Sequence, residues 1–266
     1  MKNLYEQAKS CFLLADPDEK LAKTLDWVSD WESKRLEWKE GSPAIYLEQP
    51  GRLNKPEIVA QRDLPRRRLG TVEGKASMIH ALAHIELTAV NLSLDAVYRY
   101  RDMPREYYND WILAAGEEAT HFFALREQLR SLGFEYGDFP AHEELWQMAI
   151  NTEHDLMHRM GVTHRIFEAR ALDVVPLTIK KFENVGDKDM IKVLNMIAND
   201  EIGHVSAATR WFHYRCAQNQ LDPDATFLQL IKQYLHAPLK KPINADLRRK
   251  SGFSEYEIER LLAADY

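Results

Sequence analysis

Glu86 and Glu118 are followed, 82 and 83 residues later, by Glu168 and Glu201, and the second glutamate of each pair opens the motif Glu-x-x-His. Glu118 and His121 lie in GEEATH, and Glu201 and His204 lie in DEIGH. Residues three apart on a helix project from one face, one turn apart, so each motif aims a carboxylate and an imidazole at a common point. One such motif carries little weight, since about one is expected by chance in a chain of this composition. The repeat constrains far more. It asks for four helices that each turn a glutamate inward, two of them with a histidine as well.

Buried carboxylates are costly unless a cation answers them. The apolar residues around these four, such as Ile79, Ala83, Ala115, Ile197 and Ala208, place them on inward faces. The alternative is four glutamates on the solvated faces of amphipathic helices. Carboxylate oxygen and imidazole nitrogen suit a pair of hard-to-borderline metal ions, and six protein ligands for two metals leave positions open for water, oxygen or substrate. The expected ligands are Glu86, Glu118, His121, Glu168, Glu201 and His204. One glutamate from each of two helices, with Glu-x-x-His from each of two others, is the ligand set of ferritin-like di-iron and di-manganese bundles. Glu117 and Asp200 precede ligand glutamates and turn about 100° away. They are placed either to hold a ligand histidine by its Nδ1–H or simply to face water. His164, four residues before Glu168, shares its face and is an outer partner or an extra ligand.

The spacing predicts an all-α chain in three stretches, 1–70, 71–220 and 221–266. Asp16-Pro17 caps a helix over about 17–38, and a proline-rich extended wrap follows it. Thr71 caps a helix to about Arg101, and a second runs from about Arg105 to Leu132, stopped by Gly133. The short connection makes these two antiparallel, with Glu86 and Glu118 at similar depth. A short helix is expected at about 142–150. A third long helix should start near 153 with Asn151 or Thr152 as cap, and Pro176 should kink or break it. A fourth spans about 188–219. Asp222-Pro223 opens a further helix to about His236, and Ser254-x-x-Glu257 is a capping box for a last one. No strand signal is present.

A net charge of −6 and a pI near 6.0 argue against a surface that coats nucleic acid. The cluster Arg62, Arg66, Arg67 and Arg68 is read first as solvated or as clamping carboxylates, with a phosphate contact at Arg66, Arg67 and Arg68 as the alternative. Cys11 and Cys216 form no Cys-x-x-Cys motif, which excludes a built-in iron–sulfur or rubredoxin-type carrier. No apolar run has the length of a signal or a membrane span, so the expected location is cytoplasmic, with no membrane partner.

The stretches RRRLGTVEGKASMIHALAHIELTAVNLSLDA, DWILAAGEEATHF, EYGDFPAHEELW, FEARALDVVP and NDEIGHV resemble a bacterial family of ferritin-like proteins, catalogued as domain of unknown function 455. The resemblance covers about residues 10–262. It implies a ferritin-like four-helix bundle with a di-metal centre at the six residues named, and it favours two iron ions over the manganese that the ligand set also admits. It implies no activity. The wider superfamily includes ferritins, rubrerythrins, ribonucleotide reductase small subunits, tRNA hydroxylases and manganese catalases, and fold does not choose among them. The leading expectation is an oxidoreductase or hydroxylase that uses dioxygen or peroxide and an external electron donor on a small molecule. An RNA substrate is a sub-case, with the arginine cluster seating phosphate. Iron handling by ferroxidation and a non-catalytic scaffold are the alternatives, and homo-oligomerisation stays open.

Overall fold

Short polar side chains set where most helices begin. In the computed structural model, which describes residues 2–38, 44–65, 69–235 and 237–264, Asn3 caps α1 (Leu4–Phe12) and Asp16 caps α2 (Pro17–Glu32). Asp16 accepts from the N–H groups of Asp18 and Glu19 at 2.9 and 3.1 Å. A single 3-10 turn, Gln61–Asp63, precedes α3 (Val72–Arg99), whose first turn is capped by the Thr71 hydroxyl. After α4 (Arg105–Ser131), Gly133 takes φ +83° and ends the helix. Then come α5 (Glu144–Asn151), α6 (Leu156–His158), a π-helix at Arg159–Glu168, and α7 (Arg170–Asn184). The chain continues through α8 (Lys188–Gln218), α9 (Pro223–Tyr234), α10 (Ala245–Lys250) and α11 (Glu255–Ala263). The chain is mainly helical, as the periodicity predicts, but not wholly so. Lys2–Asn3 and Leu36–Glu37 form a two-residue parallel ladder. It is tied down by Asp30, which accepts from Lys2 Nζ at 2.8 Å and Arg35 Nε at 2.7 Å. Among the described residues, no helix is long and apolar enough to cross a membrane.

Two compact units divide the chain, Met1–Trp146 and Gln147–Tyr266, so the boundary falls inside the stretch 71–220 expected as one bundle. In the first unit α3 packs along α4, α1 against α3, and α2 against α4. The N-terminal stretch is therefore more than the helix and extended wrap the sequence suggests. Its first helix, α1, buries Leu4, Tyr5, Ala8, Cys11 and Phe12 in the core. The extended segment is pinned by Lys20, whose ammonium donates to Phe12 O at 3.1 Å, Gly51 O at 3.0 Å and Asn91 Oδ1 at 2.6 Å. Gly51 lies so close to α1 that a Cβ there would meet Leu13 O at 2.1 Å.

In the second unit α8 is central, packed by the π-helix, α6, α7, α9 and α10. Two expectations need correction here. The helix that carries Glu168 begins at Leu156, because Asp155 accepts from the N–H groups of Met157 and His158. Thr152 instead donates its hydroxyl to Met148 O and meets Thr163. Pro176 does not end a helix, since α7 runs through it; the change in winding falls at Ala169, where the π-helix gives way to α7. Two buried ion pairs fasten the C-terminal helices to this segment. Arg165 on the π-helix is bidentate with Glu257 of α11 at 3.0 and 2.7 Å, and its guanidinium sits over Phe212, Phe227 and Phe253. Arg248 of α10 is bidentate with Asp173 of α7 at 3.1 and 2.7 Å, and reaches the carbonyls of Arg165 and Ala169 where the winding changes.

Removing one partner of a fully buried pair strands the other charge, at a cost of about 3–5 kcal/mol. Arg165→Met should lower unfolding stability by that order, and Arg165→Met combined with Glu257→Gln, which keeps the acceptor for Ser254 N, should lose clearly less. Urea unfolding of the two variants measures the difference. Equal losses would mean that the charge is not what holds α11 in place.

Candidate metal centre

The hairpin of α3 and α4 brings the first half of the repeat together. Glu86 lies thirteen residues before the end of α3 and Glu118 thirteen after the start of α4, so an antiparallel pair sets them level. His121 follows one turn on. All three are buried, and one ligand atom from each lies within 4.8 Å of the other two. His121 Nδ1 donates to Glu86 Oε2 at 3.1 Å and to Glu118 Oε2 at 3.2 Å. Burial raises the Glu86 carboxyl well above the usual range, and the charge of Glu118 raises it further. Burial alone would lower His121, but its hydrogen bonds to Glu118 and Glu86 outweigh that and raise it. Two carboxylates thus share one imidazole in a dry interior, with protons standing where a cation would.

The second half of the repeat lies on the π-helix and α8. Glu201 and His204 are buried on one face of α8, with His204 Nδ1 3.9 Å from Glu201 Oε2. Glu168 closes the π-helix, and buried His164 donates from Nδ1 to its Oε2 in a very short contact. His164 therefore grips the carboxylate of Glu168. Of the outer positions, Glu117 is half-buried, and half-buried Asp200 accepts from Asn199 Nδ2 at 3.2 Å. Arg66, Arg67 and Arg68 lie outside the described residues; nearby Arg62 is exposed, 3.9 Å from Asp63.

Trp111 and Trp211 are buried core residues. His158 bonds Tyr234 at 2.7 Å and is edge-on to His154. The sequence gives no warning of the π-helix, a winding found often at functional positions in helices. Its five-residue turn is closed by Ala169 N donating to His164 O, which binds the backbones of the residues flanking Glu168 into one loop.

The chain matches the family described as "Protein of unknown function (DUF455)" over residues 13–259. A relative from Haemophilus influenzae, described as an uncharacterized protein, is 40% identical over 212 residues, covering 77% of this chain and 74% of its own. No solved structure matches.

A divalent cation that enters between Glu86, Glu118 and His121 must displace the His121 Nδ1 proton, because that nitrogen faces both carboxylates. Uptake of Mn²⁺ or Fe²⁺ near neutral pH should therefore release protons, and apparent affinity should fall about tenfold per pH unit of acidification for each proton displaced. Calorimetry in buffers of different ionisation enthalpy counts these protons. Uptake without proton release would place the metal elsewhere.

Proposed function

We propose that this chain, which belongs to the DUF455 family, is a ferritin-like di-metal carboxylate protein, with iron as the metal, acting as an oxidoreductase that uses dioxygen or peroxide. The observation that carries the reading is the buried Glu86–Glu118–His121 triad. Two carboxylates and an imidazole converge there and hydrogen-bond to one another. The same ligand types recur at a spacing one residue longer as Glu168, Glu201 and His204. The reading assigns two metals to each chain, with three protein ligands for each.

The donor set fits ferrous iron: four hard oxygen ligands, two imidazoles and no thiolate. When bound, such ions supply electrons and open coordination positions for oxygen chemistry. The residues of the chain do the rest. Glu86 and Glu118 hold position through the packed hairpin, and His121 gives up its Nδ1 proton to become a ligand. His164 orients Glu168 by occupying its Oε2, which leaves Oε1 as donor. Burial of Glu86, Glu118, His121 and His164 keeps bulk water from those side chains. The two cysteines are buried, free and far apart in sequence, so reducing electrons come from an external donor.

Anaerobic loading with ferrous iron should saturate at about two per chain, and exposure to oxygen should then consume it, with a spectroscopic signature of exchange-coupled ions. A value near zero with the fold intact sinks the proposal, and uptake of many irons per chain would make the protein an iron store instead. Glu86→Gln separates the site from the fold. The folded Glu86 carboxyl keeps its proton to higher pH than in the unfolded chain, so it weakens folding as pH rises from the ordinary carboxylate range. The neutral amide lacks that penalty, so the metal-free variant should melt no lower than wild type at neutral pH. A ligand at a hundred times its dissociation constant adds about 2.7 kcal/mol, and this gain should shrink in Glu86→Gln.

A further inference from the structure

The first unit also contains a cavity of ≈ 50 Å³ that the metal reading does not use. Its walls are mostly apolar, with Ile58, Leu87 and Trp146 among them, and its ionisable side chains are Lys20, Arg52, Lys55, His84, Tyr136 and Glu143. The charges do not balance. Glu143 is 3.4 Å from Arg52 and answers that cation. Lys20 is only 2% exposed, yet its three hydrogen bonds go to two carbonyls and an amide oxygen, all neutral. Among the described residues no carboxylate pairs with it, and buried charges are ordinarily paired.

We propose that this cavity binds a small organic carboxylate, whose charged end meets Arg52 and Lys55 at the rim and answers the buried Lys20 ammonium, while its apolar end lies on Leu87, Ile58 and Trp146.

Lys20 acts through its charge, since its protons are already engaged. Arg52 and Lys55 are exposed and carry donors beyond those the Glu143 pair uses. The other titratable wall groups favour an anion. His84 bonds the Tyr136 hydroxyl at 2.7 Å, and Tyr136 is held protonated by burial. Neither adds negative charge. Burial pushes Lys20 down to about 7, as expected for a cation stripped of water without an opposite charge. A mostly apolar cleft with a few converging polar groups of shifted pKa is the usual form of a small-molecule site. The apolar walls select a carboxylate with a hydrocarbon end over a fully hydrated inorganic anion.

The test is calorimetric titration of the full chain with acetate, propionate, butyrate and inorganic phosphate. Propionate should bind saturably at one per chain, about fourfold tighter than acetate for the added methylene, and phosphate should bind more weakly than either. Arg52→Gln with Lys55→Gln changes only exposed side chains and should weaken propionate at least tenfold. Lys20→Met should abolish binding; if that variant does not fold, the rim variant decides. No saturable binding, binding unchanged in the rim variant, or phosphate as tight as propionate (an adventitious ion only) would overturn the proposal. None of these outcomes depends on metal loading, so this site and the metal site fail separately.

Discussion

A charge taken into a dry helical interior must be answered, and this chain answers its buried charges in two distinct ways. In the second unit two buried ion pairs close on themselves. Arg165 meets Glu257 and Arg248 meets Asp173, each through two hydrogen bonds, and all four side chains are fully buried. Such pairs are neutral as a whole and ask for nothing further. In the first unit Glu86 and Glu118 share the single imidazole of His121, and burial together with the Glu118 charge holds a proton on Glu86 where a cation would stand. Lys20 is the opposite case, a buried cation given only neutral acceptors. Balanced pairs hold structure together. An unbalanced charge marks a place where a ligand of the opposite sign would lower the free energy of the folded chain.

The balanced pairs also explain what the C-terminal helices are for. A π-helix is wound less tightly than an α-helix, and its hydrogen-bond geometry makes it rare over more than a turn. Here it persists for ten residues, from Arg159 to Glu168. Arg165 in its middle is held by Glu257 and by three aromatic rings, and Arg248 reaches the carbonyls of Arg165 and Ala169 at its end. The helices after Gln218 thus act as a brace on the segment that carries Glu168. Their capping box serves the same end. Glu257 accepts from Ser254 N at 3.0 Å with one of the oxygens that also grip Arg165, so the start of α11 and the ion pair are fixed together.

Much of this was legible in the sequence because caps are local. Asp16-Pro17, Thr71, Asp187, Asp222-Pro223 and Ser254 each begin a helix within a residue or two of the expected place. The glutamate–histidine spacing was also legible, since helical periodicity alone puts Glu118 and His121 on one face and an antiparallel hairpin sets Glu86 level with them. Helix α1 escaped notice although Leu4, Tyr5, Ala8, Cys11 and Phe12 form a helical stripe; it is only nine residues long, and tertiary packing rather than propensity sustains so short a helix. The π-helix was not legible, because what holds it comes from Glu257 and Arg248, some 80 to 90 residues away in the chain. Pro176 does not break the helix, for a related reason. A proline costs one hydrogen bond inside a helix, and α7 continues past it while anchored by Asp173 to Arg248 and Arg170.

His164 shows how local winding and chemistry meet. In metal sites a carboxylate commonly holds a histidine ligand in place by its distal N–H. At Glu168 the order is reversed: the histidine is the holder and the carboxylate is the held group. The two residues are four apart, a separation that both α and π winding bring to one face, so the contact survives the change in pitch. The main-chain bond from Ala169 N to His164 O spans the same residues, so backbone and side chain fix Glu168 at once. The same contact makes Glu168 a poor place to test the metal reading, because removing its carboxylate also strips a buried imidazole of its acceptor. At Glu86 the carboxyl group meets Glu118 and an imidazole, His121, that keeps Glu118 as a second acceptor. Glu86→Gln therefore removes an ionisable group and still leaves His121 its Glu118 acceptor, which is why a change in metal affinity at that position reads on the site rather than on the fold.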